Sequence, residues 1–419
     1  MRKIQRIKNS NLDVSFYLWI FSVIQVTTYL ISTEGIGYPI LKYLFGVSDR
    51  FKDSELLFNH HLFSNAFDIE TLSNPNTNIG SSVFVLILAK FCYPFLSLIG
   101  VDFYLYFNLL VYVATLFLFF KVFGKKLHIL PIAFSHFIIF SFGRGNLALI
   151  ATLLLVLGIE SLRREKYLIS SLCFALASFY EFPYILFALL IFFAGKIRFF
   201  LLSVGTVVSM YLLGWLLVGS DLKSNFQIFV VSHQRWHDGY VIGDNGLLHN
   251  NSIFGGLKTA TYLVLQKDTP ARDLIMVSEF LSNFVNFLIA VLGVILAWLY
   301  FRKWKVKYDR EFNYAEYFLL LGLLTGLFLP VAPDYKLIPL CFALMYLIKE
   351  KSTFLSKSNL LLLLILFTPK YFALFYFPWW EPGVTISTLL NPILSSILLI
   401  KLVMFMNTKK SQILKVKKN

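Results

Sequence analysis

The chain has 419 residues, of which 58% are hydrophobic and only 15% charged, and its mean hydropathy is +0.70. A soluble domain carries about 25% charged residues, so this composition excludes an ordinary soluble protein. Apolar runs of roughly 17–25 residues, the length that spans a bilayer as a helix, recur from end to end. Because helices satisfy their own backbone hydrogen bonds in lipid, the sequence predicts an all-α integral membrane protein that forms a single polytopic domain over residues 1–419.

Basic residues account for the net charge of +15, and they cluster between the apolar runs. Short loops rich in Lys and Arg mark the cytoplasmic side of a membrane. With every cluster on that side, the chain crosses the membrane about 12 times and both termini are cytoplasmic. Because whole spans separate the clusters, they cannot form one basic face for a nucleic acid. The seven clusters hold 25 of the 38 Lys and Arg residues and lie at 2–8, 121–126, 163–166, 196–198, 302–310, 349–357 and 409–418.

The predicted spans follow these clusters along the chain. The first runs outward over about 14–32, and residues 34–80 form a long first outer loop. Residues 82–120 hold two apolar stretches, one of which lies re-entrant or flat at the interface. A second outer loop covers 219–279, and a basic cytoplasmic tail covers 407–419. The later spans are predicted at about 128–142, 145–161, 168–181, 183–195, 199–218, 280–301, 315–331, 337–349, 359–377 and 384–406.

A break between two apolar runs carries a cation and an amide, Arg144 and Asn146. Gly143 and Gly145 flank the cation and allow a sharp backbone turn. Polar groups at membrane depth are costly unless they contact something polar, and a guanidinium suits bidentate binding of phosphate. The predicted topology places this break on the same outer face as the two long loops, Tyr180–Pro183 and Pro330–Lys336. We therefore expect a site on that face.

Two carboxylates in the first outer loop, Asp49 and Asp53, lie four residues apart and share one face if the segment is helical. A carboxylate within hydrogen-bond distance of an acceptor hydroxyl can act as a general base. The alternative is a solvated interfacial helix in which these acids pair with neighbouring bases.

Two further breaks offer charged candidates. Glu181 precedes Pro183, which cannot donate a backbone hydrogen bond, and it is either a functional carboxylate or an exposed helix end. Lys336 follows Pro330 and Pro333 into the next span, and an intramembrane lysine indicates function by default. The alternatives for Lys336 are an interfacial pair with Asp334 or a side chain that extends to the interface.

The second outer loop gives weaker signals. His233 and His237 have a spacing that can support a metal, but no third ligand has suitable spacing, so no metal site and no cofactor are predicted, although a divalent cation stays open. A structural alternative for Asn251 and Ser252 is to cap the following helix. No phosphate-binding loop or dinucleotide motif occurs, so a nucleotide-driven pump is not expected.

Three segments of the chain carry a resemblance to a known family. The first is GRGNLALIATLLLVLGIESLRREKYLISSLCFALASFYEFPYILFALLIFF, which resembles the central stretch of membrane glycosyltransferases of the GT-C fold, of the mannosyltransferase-like family-87 type. The segments LLHNNSIFGGLKTATYL and FLPVAPDYKLIPLCFAL are similar to later stretches of that family, in the same order. The resemblance covers roughly residues 45–350.

The resemblance implies transfer of a mannose-like sugar from a polyprenyl-phosphate donor to a lipid-linked or cell-surface glycan, at the outer face of a bacterial plasma membrane. Asp53 best matches the expected base, with Asp49 second. Arg144, Asn146 and Lys336 match positions near the lipid phosphate and the sugar. The remaining candidate substrate-binding residues are Glu181, His249, Asn251, Asp334 and Tyr335.

Two departures from the family pattern alter these expectations. The family has Tyr-Pro-Pro where this chain has Asn78-Ile79-Gly80-Ser81, and Lys-Pro where it has Glu181-Phe182-Pro183. The second departure removes a cation, so phosphate binding depends more on Arg144 and Lys336. An O-antigen-type polymerase is the nearest alternative. A lipid-linked glycan transporter or flippase predicts inverted repeats and charges along a midplane path, whereas here the polar groups gather at one face.

Overall fold

A computed structural model describes most of the chain from residue 102 onward. The described ranges are 14–30, 102–124, 130–133, 135–144, 148–218, 250–265, 313–329, 334–370, 372–377 and 380–418, with residue 332 and short pieces within 221–242 and 280–295. Among these residues, three helices are long and apolar enough to cross a membrane: Tyr106–Phe123, Ile197–Gly214 and Ser387–Thr408. Six shorter apolar helices accompany them, which agrees with the predicted helical membrane protein.

The helices and strands of the described residues follow in chain order. The N-terminal half contains α1 (Val14–Leu30), α2 (Asp102–Phe123), α3 (Leu130–Ala133), α4 (His136–Arg144), α5 (Ala148–Arg163), α6 (Tyr167–Tyr180), a 3₁₀ helix (Phe182–Ala188), α7 (Leu189–Phe193) and α8 (Ile197–Val218). The C-terminal half contains a π-helical turn (His237–Ile242), α9 (Ile253–Leu265), α10 (Tyr314–Leu327), a 3₁₀ turn (Asp334–Leu337), α11 (Ile338–Lys349), α12 (Lys357–Phe367), β1 (Ala373–Phe377), β2 (Trp380–Thr385) and α13 (Ser387–Lys418).

Small residues bring the central helices together. A Cβ atom on Gly158 of α5 would lie 2.7 Å from the Phe174 ring of α6, and one on Gly322 of α10 would lie 2.8 Å from Leu340 of α11. Helices in lipid associate through such close backbone approaches because the bilayer supplies no hydrophobic drive between them. The helix α11 is buried from Ile338 to Leu347, so it forms the centre of the bundle.

Charged side chains gather at one end of this bundle, which we call the charged end. Arg163 contacts Glu160 at 3.5 Å and Glu350 at 3.2 Å, and Lys349 contacts Glu160 at 3.4 Å. The Lys349 ammonium also lies 5.7 Å from the centre of the Phe123 ring at the end of α2. Burial raises the pKa of the Glu350 carboxyl, while the nearby Arg163 lowers it by a smaller amount. Three of the predicted basic clusters therefore meet at this end.

One predicted span is wrong. We expected a helix over 359–377, but α12 ends at Phe367, and Ala373–Phe377 forms a strand that pairs antiparallel with Trp380–Thr385. Thr368 has an extended backbone, with φ −69° and ψ 131°, as expected for the residue before Pro369. Aromatic residues then favour a strand. The predicted span over 183–195 also differs, because Pro183 opens seven residues of 3₁₀ helix before α7.

Substitution of Gly158 by Ala tests the packing of α5 on α6. The added methyl would overlap the Phe174 ring, so we expect a loss of about 1–3 kcal/mol of stability and a lower midpoint of thermal unfolding in detergent. Gly205→Ala in α8 is the matched control, since nothing lies within 4 Å of its Cβ position and alanine favours a helix by about 0.5–1 kcal/mol. Equal midpoints for the two variants would contradict this packing.

Candidate functional site

Glu181 stands where α6 ends. Its backbone is extended, with φ −140° and ψ 94°, and its N–H still donates to the Ala177 carbonyl. Pro183 lies in the first turn of the 3₁₀ helix that follows, a position that a residue without an N–H tolerates well. The Tyr184 N–H closes this turn on the Glu181 carbonyl at 2.9 Å. The carboxylate therefore projects from a helix break and not from a regular helix.

Lys336 meets Glu181 from a distant part of the chain. It lies in the 3₁₀ turn before α11, and its Nζ donates to the Glu181 Oε2 atom in an ion pair. The side chains of Lys336 and Glu181 are 11% and 18% exposed, so the pair is largely enclosed but can still be reached. An ammonium offers three donors and a positive charge, while a carboxylate accepts hydrogen bonds from hydroxyls. The pair can thus bind an anionic group and a hydroxyl side by side.

Two buried asparagines hold the segment that leads to Lys336. The Asn251 N–H and its side-chain Nδ2 both donate to the Ala332 carbonyl, at 2.8 and 3.0 Å. The Ala332 N–H donates to Asn250 Oδ1 at 3.0 Å. The backbone polar groups of Ala332 are therefore paired on both sides, and we call this arrangement the asparagine clamp.

The clamp is anchored to α9 and α13. Asn391 of α13 donates to Asn251 Oδ1 at 2.5 Å. The Ser252 hydroxyl accepts from the Gly255 N–H at 2.9 Å and caps α9, so the predicted capping role is observed at Ser252. Gly255 has no room for a side chain, since a Cβ would lie 2.4 Å from the Asn250 Cγ atom.

Arg144 ends a helix that packs against the turn that carries Lys336. Both α4, whose last residue is Arg144, and α5, which begins at Ala148, contact the Asp334–Leu337 turn. We call this region the polar end. It contains the Glu181–Lys336 pair and the asparagine clamp. The sixteen residues of α5, at 1.5 Å each, separate it from the charged end by about 24 Å, which is close to the roughly 30 Å hydrocarbon core of a bilayer.

The predicted site residues divide into three groups. Glu181, Lys336 and Asn251 have described side chains, and all three lie at the polar end. Arg144, Asp334 and Tyr335 are described by their backbone, in α4 and in the 3₁₀ turn. The other candidates lie outside the described residues: Asp49, Asp53, Asn146 and His249. Lys336 pairs with Glu181, a partner 155 residues away in the sequence.

Several polar residues of this region were not predicted from the sequence. Asn250 and Asn391 belong to the clamp, and Lys258, which is 1% exposed, donates to the Val241 carbonyl at 3.2 Å. A signal was present for Asn391, an amide within an apolar span, but the pattern could not supply its partner. Within the described part of the chain, no group of three or more His, Cys, Asp or Glu side chains is placed to hold a metal.

Comparisons with protein-family models, with curated proteins and with solved structures found no match to this chain. The resemblance to GT-C glycosyltransferases therefore depends on the sequence segments alone and stays a prediction.

Asn250→Ala tests the asparagine clamp. The change leaves the N–H groups of Ala332 and Ser252 without the Asn250 acceptor, which costs about 1–3 kcal/mol for a buried donor. We expect faster hydrogen exchange at the Asp334–Leu337 turn. The control is Asn313→Ala, which removes the side-chain cap of α10 and should lower stability without affecting that turn. Unchanged exchange in Asn250→Ala would show that the clamp does not order the segment.

Proposed function

We propose that this protein is a membrane glycosyltransferase that moves a mannose-like sugar from a polyprenyl phosphate to a lipid-linked or cell-surface glycan. The contact between Glu181 and Lys336 is the observation that supports this most. An acid and a cation meet at a helix break at one end of an apolar bundle. Such a pair suits a lipid headgroup that carries both a phosphate and hydroxyls, and an apolar bundle suits a donor that remains in the bilayer.

The proposed placement has about 12 spans in a bacterial plasma membrane, both termini in the cytoplasm and the polar end on the outer face. The meeting of three basic clusters at the opposite end supports this orientation, because basic loops favour the cytoplasmic side. Lys121, Arg163 and Lys349 represent those clusters.

The proposed reaction is an inverting displacement. Asp53, or Asp49, takes the proton of the acceptor hydroxyl. The oxygen of that hydroxyl forms a bond to the anomeric carbon of the sugar. The bond between that carbon and the phosphate oxygen breaks, and its electrons pass to the phosphate. Arg144 and Lys336 then stabilise the developing charge, as preorganised cations do at a leaving group. The proposal involves no cofactor.

The remaining candidates have supporting roles in this proposal. Asn146, His249, Asp334 and Tyr335 would bind the sugar or orient the phosphate through hydrogen bonds. Asn251 is buried and bonded to Ala332 and Asn391, so its proposed role is to hold the segment that carries Lys336.

Lys336→Met tests the proposed cation. Removing one preorganised group at a developing charge slows a reaction by about 10²–10³-fold, and we expect that loss in a purified assay of sugar transfer from polyprenyl phosphate. Mass spectrometry of lipid-linked glycans from a deletion strain would first identify the product; a ladder of repeats in place of one added sugar would indicate a polymerase.

The matched control for Lys336→Met is Lys349→Met, which removes a lysine of the charged end. Equal rates for the two variants would exclude Lys336 from the chemistry.

Asp53→Asn and Asp49→Asn test the proposed base. The asparagine amide cannot act as a base toward the hydroxyl of the acceptor glycan. General-base catalysis contributes about 10²–10⁴-fold in rate, so one of the two variants should lose activity by that factor in the same assay. Normal turnover in both variants would remove the first outer loop from the mechanism.

A further inference from the structure

Glu181 forms an ion pair with Lys336, the cation that would bind the donor phosphate. This inference rests on the proposed function. Lys336 is paired with Glu181, so a phosphate that binds Lys336 must either share it with Glu181 or replace Glu181. We infer that Glu181 is an exchangeable counter-ion of Lys336, which a phosphate group displaces more readily when it carries two negative charges than when it carries one.

The exposure of the pair supports exchange. The side chains of Lys336 and Glu181 are 11% and 18% exposed, whereas Asn250 and Asn251 of the neighbouring clamp are 1% and 0% exposed. The clamp is sealed and serves the fold. The ion pair, in contrast, retains a path to the surroundings, so a headgroup at the polar end can approach it.

Both partners stand on fixed backbone. Lys336 follows Ala332, whose N–H and carbonyl are both bonded in the clamp. Glu181 is the one extended residue between α6 and the 3₁₀ helix, and its N–H and carbonyl are bonded to Ala177 and Tyr184. The carboxylate can therefore turn away from Lys336 by rotation about its side-chain bonds, without a change in either backbone.

Tyr211 of α8 lies close to the position of Glu181. Its ring is held edge-on by Phe179 and by Phe182, the residue that follows Glu181, at centroid distances of 5.4 and 5.8 Å. A phenol O–H can donate to a carboxylate. The displaced carboxylate thus has a potential donor nearby when a phosphate takes its place on Lys336.

The charge of a phosphate group determines how readily it displaces Glu181 from Lys336. A sugar linked through phosphate to a polyprenol is a phosphodiester with one negative charge, and transfer of the sugar leaves a phosphate monoester with up to two. The attraction of the Lys336 ammonium for an anion grows with the charge of that anion, and it is stronger in a partly enclosed site than in water. Lys336 would therefore stay with Glu181 against the diester and move to the phosphate as the bond to the sugar breaks. An interaction that strengthens during the reaction lowers the barrier, whereas one of constant strength does not.

Binding of two model lipids tests this inference without any sugar transfer. Dodecyl phosphate and its methyl ester are titrated calorimetrically into the purified full-length protein at pH 8, about two units above the second pKa of a phosphate monoester. We expect the wild type to prefer the monoester. In Glu181→Gln, which keeps the shape of the side chain, we expect both esters to bind roughly 10–100-fold more tightly, with a similar preference between them, because the competing charge is gone for both. Lys336→Met should lose the preference.

Glu160→Gln is the matched control, since Glu160 pairs with Lys349 at the charged end at 3.4 Å; its binding should equal that of the wild type. Glu181→Ala serves as a second variant, and thermal unfolding confirms that each variant is folded. Titration with inorganic phosphate distinguishes a free ion from a lipid headgroup, and tighter binding of either source in Glu181→Gln supports the counter-ion role. Equal or weaker binding in both Glu181 variants would overturn it.

These binding experiments distinguish failure of the counter-ion role from failure of the proposed function. Tighter ester binding in Glu181→Gln, together with no sugar transfer by the wild type, would retain the counter-ion and reject the glycosyltransferase. Transfer that requires Lys336, together with unchanged ester binding in Glu181→Gln, would retain the enzyme and reject the counter-ion.

Discussion

Pairing of buried polar groups in an apolar surround is the constraint on which the polar end depends. An unsatisfied amide or carbonyl at membrane depth costs several kcal/mol, and the chain must break its helices at Ala332 to bring Lys336 into place. The asparagine clamp meets that cost with side chains from another segment, and Asn391 of α13 adds a third. Hydrogen bonds therefore join three parts of the chain at one point. Lipid offers these polar groups no other partner.

The same constraint sorts the charges along the bundle. Glu160, Arg163 and Lys349 form a network at the charged end, while Glu181 and Lys336 form a pair at the opposite one. The region between them is filled by aromatic and aliphatic side chains, as in the contact of Phe119 on Phe342, with ring centres 4.4 Å apart. Among the described residues, this distribution gives a bundle with a charged end, a polar end and a largely apolar region between them.

The sequence was sufficient for those features that depend on local chemistry. Apolar run length predicts helices such as α8 and α13, and prolines and charges in those runs drew attention to Glu181 and Lys336 separately. It was not sufficient to pair them, because a contact across 155 residues depends on how the helices pack. It also missed the strand at Ala373–Phe377, since a short run of aromatic residues fits a membrane helix as well as a strand. The role of Asp53 stays a prediction.

The length of α13 has a consequence for how the protein sits in its membrane. Its thirty-two residues extend about 48 Å at 1.5 Å each, well beyond the roughly 30 Å of hydrocarbon in a bilayer. The helix begins beside the clamp, and Lys401 contacts Ser358 near the charged end. About a dozen residues of α13 therefore exceed the length that the hydrocarbon core covers. One continuous helix thus connects the clamp to the charged end and extends beyond it.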